Sequence, residues 1–267
     1  MATALSIELS PHSDKTSISE AFSRAAKTYD QHAAFQRDVG ERLLEHLPVD
    51  LSNKTVVDLG CGTGYFSQEL LNRGAKVICC DLSGQMLASA KQRCGDDGVS
   101  YLQADAESLP LIDNSVDLVF SSLALQWCKD LSLPLREVFR VTKPGGQAYI
   151  STLLEGSLCE LKQAWRKIDS HQHVNDFASI NQIKVALAQS GCTTYQLDLP
   201  AITVWYNSAF ALMRDLKGIG ANYVHGRAQG LTSRRSLLGV EREYQVFRNR
   251  QGLLPATYQV CLGVIHL

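Results

Sequence analysis

The chain has 267 residues, 45% of them hydrophobic and 20% charged, with a formal net charge of -1. This is the composition of a soluble globular protein long enough to bury a full core unaided, with no overall bias toward nucleic acid or a membrane. No apolar run reaches spanning length, Met1 to Ser13 lacks the basic and apolar regions of a secretory signal, and the eight cysteines form no CxxC pair. With no zinc-like histidine spacing either, the expectation is no metal and free thiols in a reducing, cytoplasmic compartment.

In chain order, residues 1–15 read as polar and loose. The spacing of Phe22, Ala25, Ala26, Tyr29, Ala33, Leu43, Leu44 and Leu47 predicts broken helix up to Pro48. A regular alternation follows. Thr55–Gly60 predicts a strand, Tyr65–Arg73 a helix closed by Gly74, Lys76–Asp81 a strand and Gly84–Cys94 a helix. Val99–Ala104 and Val116–Ser121 predict strands, Leu133–Val141 a helix, and Gln147–Thr152 a strand entered by the Lys143-Pro144-Gly145-Gly146 turn. Beyond it, Ile180–Gln189 and Ser208–Ile219 read as helical, Cys192–Tyr206 as strand-like and Thr257–Leu267 as a final strand. Repeated strand–helix–strand units with right-handed crossovers imply a doubly wound, mostly parallel α/β sheet. With no long linker, the chain reads as one domain: a helical cap over 1–50, a core over 51–152 and a less regular region over 153–267.

The densest signal is Asp58-Leu59-Gly60-Cys61-Gly62-Thr63-Gly64, between a strand and a helix. Glycines at alternate positions let the backbone turn tightly and approach a ligand where a Cβ would clash. Asp81 ends the second strand, 21 residues after Gly60, where an acid in a doubly wound fold receives ribose hydroxyls. Asp105-Ala106 ends the third strand, where an acid can bind an adenine amine. The dinucleotide fingerprint is GxGxxG and places a pyrophosphate at the loop, whereas this loop is GxGxG. Asp58 at its entrance suits a cationic ligand such as S-adenosylmethionine (SAM) and disfavours a pyrophosphate.

From about Thr55 to Thr152 the sequence resembles class I SAM-dependent methyltransferases, in the glycine loop, Asp81, Asp105 and Lys143-Pro144-Gly145-Gly146. The resemblance implies a Rossmann-like sheet of seven strands, the last antiparallel and supplied by Thr257–Leu267. It also implies SAM as cofactor and S-adenosylhomocysteine as product. The cofactor residues are then Asp58, Gly60, Cys61, Gly62, Gly64, Asp81, Leu82, Met86, Asp105, Ala106 and Ser122.

After the fourth strand the chain reads Ser121-Ser122-Leu123-Ala124-Leu125-Gln126-Trp127-Cys128. It lacks the Asn/Asp-Pro-Pro-aromatic sequence of base-amine methyltransferases, and no basic stripe interleaves with aromatics, so nucleic acid is not the expected acceptor. Ala21-Phe22-Ser23-Arg24-Ala25-Ala26-Lys27-Thr28-Tyr29-Asp30-Gln31-His32-Ala33 resembles the N-terminal cap of the malonyl-acyl-carrier-protein O-methyltransferases of biotin synthesis. So do Leu125-Gln126-Trp127-Cys128, Gly156-Ser157-Leu158 with Trp165, Lys217-Gly218-Ile219-Gly220-Ala221-Asn222 and Pro255-Ala256-Thr257-Tyr258. That likeness covers nearly the whole chain, more weakly before Thr16 and across 228–251.

It implies methyl transfer to the free carboxylate of a malonyl thioester on acyl carrier protein. A carboxylate is already ionised at neutral pH, so the reaction needs positioning and desolvation rather than a base, and His32, His171, His173 and His225 are not expected to act. Tyr29 either closes over SAM and the methyl path or is a core aromatic. Gln126 is either an acceptor hydrogen-bonder or a loop amide, and Trp127 a pocket wall. Arg24, Arg214 and Lys217 are candidates for the malonyl carboxylate or the carrier's phosphate; each alone is also an ordinary surface charge. A lid is expected from the cap and the segment after Ala201. Residues 201–267 hold eight basic residues against Asp215, Glu241 and Glu243, a net +5 that can steer an acidic carrier. The alternatives are a small-molecule methyltransferase acting on a quinone carbon or a free acid, a nicotinamide-dependent dehydrogenase and a SAM-binding regulator.

Overall fold

The computed structural model describes residues 11–221 and 233–267. Strands β1 (Thr55–Leu59), β2 (Lys76–Asp81), β3 (Val99–Gln103), β4 (Val116–Ser122) and β5 (Thr142–Leu153) pair in parallel in the order β3-β2-β1-β4-β5. Parallel neighbours need crossovers, supplied by α4 (Tyr65–Asn72), α5 (Gly84–Cys94) and α6 (Ser132–Val141). Each central strand is buried on both faces. Val56, Val77, Leu118 and Phe120 enter one apolar cluster, while Val57, Leu59, Val119 and Ala148 enter the other.

The last strand, β8 (Leu254–His266), is antiparallel to β5, as the resemblance implied. The strand count differs from seven. The single strand read at Cys192–Tyr206 is two, β6 (Thr194–Asp198) and β7 (Ala201–Tyr206), because Pro200 between them has no N–H to extend a ladder. β6 pairs with Leu262–His266 of β8 and β7 with its first half, Leu254–Gln259, giving eight strands. The Lys143–Gly146 turn also differs from expectation. β5 already pairs at Thr142 with Val116 and then skips to Gln147 opposite Leu118, so the turn is an irregularity inside the strand. Gly146 permits it: a Cβ there would lie 2.6 Å from the Asp117 carbonyl oxygen.

The N-terminal cap consists of α1 (Pro11–Ala25), α2 (Tyr29–His32) and α3 (Ala34–Leu44). α3 belongs to the main core: Phe35, Val39, Leu43 and Leu44 are buried in it, and Phe35 stacks on Tyr258 with ring centroids 3.9 Å apart. α1 lies across the carboxyl end of β2, where Ser19 Oγ donates to the Leu82 carbonyl (3.2 Å) and Ser23 Oγ meets Ser83 Oγ (2.8 Å). α9 (Ala209–Gly218) closes against α2 through His32 Nδ1 and Asp215 Oδ1 (2.7 Å) and a Thr28 hydroxyl bond to the Gly218 carbonyl (3.1 Å). A Cβ on Gly218 would come within 2.2 Å of the His32 ring, so glycine is what allows that approach. α7 (Cys159–Arg166), α8 (Ile180–Gln189) and α10 (Arg234–Tyr244) complete the helices used below. Asn222, His225 and Arg227 lie outside the described residues. Among the described residues no helix is long and apolar enough to cross a membrane.

Candidate active site

Three left-handed glycines, Gly60 (φ +75°), Gly62 (φ +54°) and Gly64 (φ +79°), carry the chain from β1 into α4. They do different work. A Cβ on Gly60 would lie 2.3 Å from the Ala124 Cβ, and one on Gly64 would lie 2.9 Å from Ala90 of α5. The space a Gly62 Cβ would take is clear of protein to 4 Å, and that residue lines a cavity. Gly60 and Gly64 therefore allow close packing, while Gly62 leaves its backbone open to the cavity.

Asp81 fixes the loop from the next strand. Its Oδ2 accepts the Gly62 N–H (2.9 Å) and its Oδ1 accepts the Ser83 N–H (2.8 Å). Burial raises its pKa while these backbone N–H groups pull it back down. The cavity beside it, of about 830 Å³, is lined by Gly60, Gly62, Asp81, Leu82, Met86, Asp105, Ala106 and Ser122, eight of the cofactor residues expected from sequence.

Three expected cofactor residues lie off it. Asp58 is 2% exposed beneath the loop, and its Oδ2 accepts the Ser67 hydroxyl of α4 at 2.5 Å. Burial raises its pKa to about 7. Its carboxylate ties strand to helix instead of meeting a ligand, because side chains alternate along β1 and this one falls on the α4 side. Cys61 is buried in the core, and Gly64 is covered by α5.

A second cavity of about 730 Å³ adjoins the first, and Phe22, Tyr29, Leu123 and Trp127 line both. Phe22 meets Trp127 edge to face (5.2 Å). Leu123 holds a positive φ of +50°, and its N–H is tied to the Ser151 hydroxyl (3.0 Å); such backbone strain concentrates at functional sites. Gln126 lines the second cavity, its Nε2 donating to the Leu123 carbonyl (2.6 Å). Burial, with the Asp81 and Asp30 carboxylates nearby, holds the Tyr29 phenol far above its ordinary pKa. Leu216 and Ile219, from α9 and its C-cap, close the second cavity from above, so cap and later segment form the expected cover together.

The expected anion binders are elsewhere. Arg24 is exposed and faces Glu20 (3.5 Å), while Arg214 and Lys217 are exposed on α9; none of the three lines either cavity. Among the described residues, no Lys, Arg, Asp or Glu lines the second cavity.

Several site residues escaped the sequence reading. Lys15 of α1 reaches Asp105 Oδ2 (2.5 Å) and Glu107 Oε2 (2.6 Å), closing the far end of the first cavity. It sits in a segment read as loose, so only its position in space reveals it. Asp30 binds Thr63 of the glycine loop (2.7 Å) and Arg93 of α5 (2.5 Å), locking α2 over the loop. His173 lines the second cavity, stacked on Trp165 (3.6 Å) with Nε2 at 2.8 Å from Asp169 Oδ1.

Comparison with known proteins agrees with this geometry. The profile of a methyltransferase domain matches residues 57–150. The malonyl-[acyl-carrier protein] O-methyltransferase of Hamiltonella defensa subsp. Acyrthosiphon pisum is 43% identical over 256 residues, covering 95% of each chain. That of Yersinia pestis is 45% identical over 259 residues, covering 95% of this chain and 92% of its own.

The chain belongs to the malonyl-[acyl-carrier protein] O-methyltransferase family.

Like other members of this family, it is a SAM-dependent methyltransferase. The fold is shared more widely: the YcgJ protein of Bacillus subtilis superposes with a TM-score of 0.63 at 17% identity, covering 86% of this chain and 98% of its own. The first cavity fits the methyl donor of the family. Gly62 leaves backbone open to it, Asp81 and Asp105 present carboxylates, and Leu82, Met86 and Ala106 give the apolar walls an adenine needs.

Proposed function

We propose that this chain transfers the methyl group of SAM to the free carboxylate of a malonyl thioester carried on acyl carrier protein, giving the malonyl methyl ester. The observation that carries the reading is the second cavity: it shares Phe22, Tyr29, Leu123 and Trp127 with the first, so an acceptor held there lies against the methyl donor. A malonyl carboxylate arrives already ionised. Held in the second cavity, it faces the cofactor cavity as the nucleophile. When bound, SAM supplies an electrophilic methyl group on a cationic sulfur.

The protein's work is then positioning and exclusion of water. Tyr29 lines both cavities and keeps its proton, so its hydroxyl donates to the acceptor and cannot compete with it as a nucleophile. Gln126 is held by Leu123 at the wall of the acceptor cavity. Phe22 and Trp127 pack across the passage between the cavities and keep water out. Asp81, Gly62 and Asp105 hold the donor's nucleoside, and Asp30 fixes α2, hence Tyr29, against the glycine loop.

One observation favours a second reading. The Asp169–His173 pair beside the second cavity is the kind of base that methylation of a quinone carbon would require. Mass spectrometry separates the two. Malonyl-acyl carrier protein is incubated with the protein and SAM, with acetyl-acyl carrier protein and malonyl-coenzyme A alongside. A gain of one methyl on the malonyl carrier, absent from the acetyl carrier, supports the reading. Intact SAM binding with no methylated malonyl species refutes it in favour of a small-molecule acceptor.

A further inference from the structure

One face of α1 roofs the donor cavity. Lys15, Ile18 and Phe22, spaced i, i+3 and i+7 along the helix, all line it. The two ends of this roof are held differently. Toward its C-terminus α1 rests on neutral contacts: the Ser19 hydroxyl donates to the Leu82 carbonyl (3.2 Å), Ser23 Oγ meets Ser83 Oγ (2.8 Å), and Phe22 packs edge to face on Trp127. The chain then turns at Thr28, whose N–H donates to the Ala25 carbonyl (2.8 Å), and enters α2, which Asp30 fixes to the glycine loop. Toward its N-terminus the roof is held by charge. Lys15 Nζ bridges Asp105 Oδ2 (2.5 Å) and Glu107 Oε2 (2.6 Å), just beyond the carboxyl end of β3.

Lys15 is the only basic side chain among the described residues that line this cavity, and the donor it receives is itself a cation. A cation there does not attract that charge, so its role lies with the roof. The turn that receives it is well braced. Asp105 Oδ1 accepts the Glu107 N–H (3.0 Å) and the Asp105 carbonyl accepts the Ser108 N–H (3.0 Å), so the two carboxylates are presented together. The Lys15 and Asp105 side chains keep 28% and 31% of their surface exposed. Water and ions therefore reach the bridge, which biases the helix toward the closed position yet is weak enough to open. Asp105 also stands at the nucleoside end of the cavity, so opening the bridge uncovers the donor's seat.

We infer that Lys15 is a positioning residue for the methyl donor: its bridge to Asp105 and Glu107 latches α1 over the cavity, and donor and product exchange when the latch opens. The helix then pivots about its anchored C-terminal end, between Ser23 and Thr28. Lids of this kind commonly set the rate of product release. The inference concerns the donor site alone and holds whichever acceptor the protein methylates.

The test follows exchange of S-adenosylhomocysteine rather than turnover. Trp127 lines the cavity, so stopped-flow tryptophan fluorescence reports association and dissociation. Lys15→Met keeps an apolar stem without the charge, and Glu107→Gln weakens the same bridge from the other side while leaving Asp105 in place. Both rate constants are expected to rise about fivefold or more in Lys15→Met, the order of magnitude of a partly exposed ion-pair network, and by less in Glu107→Gln. The dissociation constant changes little, because both rates move together. Raising salt from about 0.05 M to about 0.5 M, which screens exposed charges, should speed exchange in the wild type and leave Lys15→Met unmoved. Lys15→Arg should restore slow, salt-sensitive exchange. Unchanged rates in both Lys15→Met and Glu107→Gln, or a Lys15→Arg variant as fast as Lys15→Met, would overturn the latch. Faster dissociation with unaltered association would make Lys15 a plain ligand contact and overturn it as well.

Discussion

The Asp30 carboxylate accepts a 2.7 Å hydrogen bond from Thr63, joining the cap's second helix to the glycine loop. Arg93 of α5 holds the other carboxylate oxygen at 2.5 Å, and its second nitrogen reaches the Thr63 hydroxyl (3.2 Å). One acid thus couples the glycine loop to Tyr29, its chain neighbour. Asp30→Ala is expected to lower kcat/KM about tenfold or more, because a charge-assisted hydrogen bond is worth roughly 1.5–3 kcal/mol and its loss frees Tyr29. Calorimetric SAM titration of the variant, run beside its kinetics, would show a smaller loss of SAM affinity than of turnover. Wild-type kinetics would refute the coupling.

Tyr29 is expected to act as a neutral donor. Its pKa is pushed up by burial and by Asp81 and Asp30, so it stays protonated across the working range. The rate should therefore be flat from about pH 6 to about pH 9, and Tyr29→Phe should lower it about two- to twelvefold, the worth of one neutral hydrogen bond. A rise in wild-type rate through neutral pH would instead point to a base such as His173.

The glycines should separate stability from binding. Gly62→Ala incurs only the left-handed backbone penalty of roughly 1–2 kcal/mol, yet places a methyl group in the space left for the donor. Gly60→Ala adds a collision with Ala124 to the same penalty. Thermal melts should rank Gly60→Ala well below Gly62→Ala, while SAM titration finds Gly62→Ala already impaired. Equal melting temperatures, or full SAM affinity in Gly62→Ala, would contradict this division of labour.

Asp58 should make stability fall toward alkaline pH. Its folded pKa, about 7, lies above the unfolded value near 3.8. The folded state therefore holds the extra proton, and stability present below the unfolded pKa is lost as pH rises through the folded one. Asp58→Asn keeps an acceptor for the Ser67 hydroxyl without the buried charge. Its melting temperature should exceed that of the wild type by more at about pH 8 than at about pH 5, and match it only at about pH 3, below the unfolded pKa, a gain of about 2–4 °C per kcal/mol recovered. The same difference at both pH values would mean that Asp58 does not titrate in this range.

Much of this protein is written locally. Alternating apolar strands, the GxGxG loop and acids at consecutive strand ends determine the parallel core and bring eight of the eleven expected cofactor residues to the lining of one cavity, because a doubly wound sheet brings strand carboxyl ends to one edge whatever else the chain does. The strand break at Pro200 rests on an equally local fact, a missing N–H, but the apolar run around it masks the break.

What the sequence left open depends on direction and on distant partners. Asp58, next to last in β1, and Asp81, last in β2, both lie beside the same loop, yet the two-residue period of β1 turns Asp58 under α4 while Asp81 faces the cavity. Lys15 and Asp105 are 90 positions apart in the chain, and only the docking of α1 over β3 makes them a pair. The charges of Arg24, Arg214 and Lys217 suggest an anion site, but the tertiary structure exposes all three, and none lines either cavity. A side chain's type limits what chemistry it can perform; the packing of helix on sheet decides which cavity, if any, receives it.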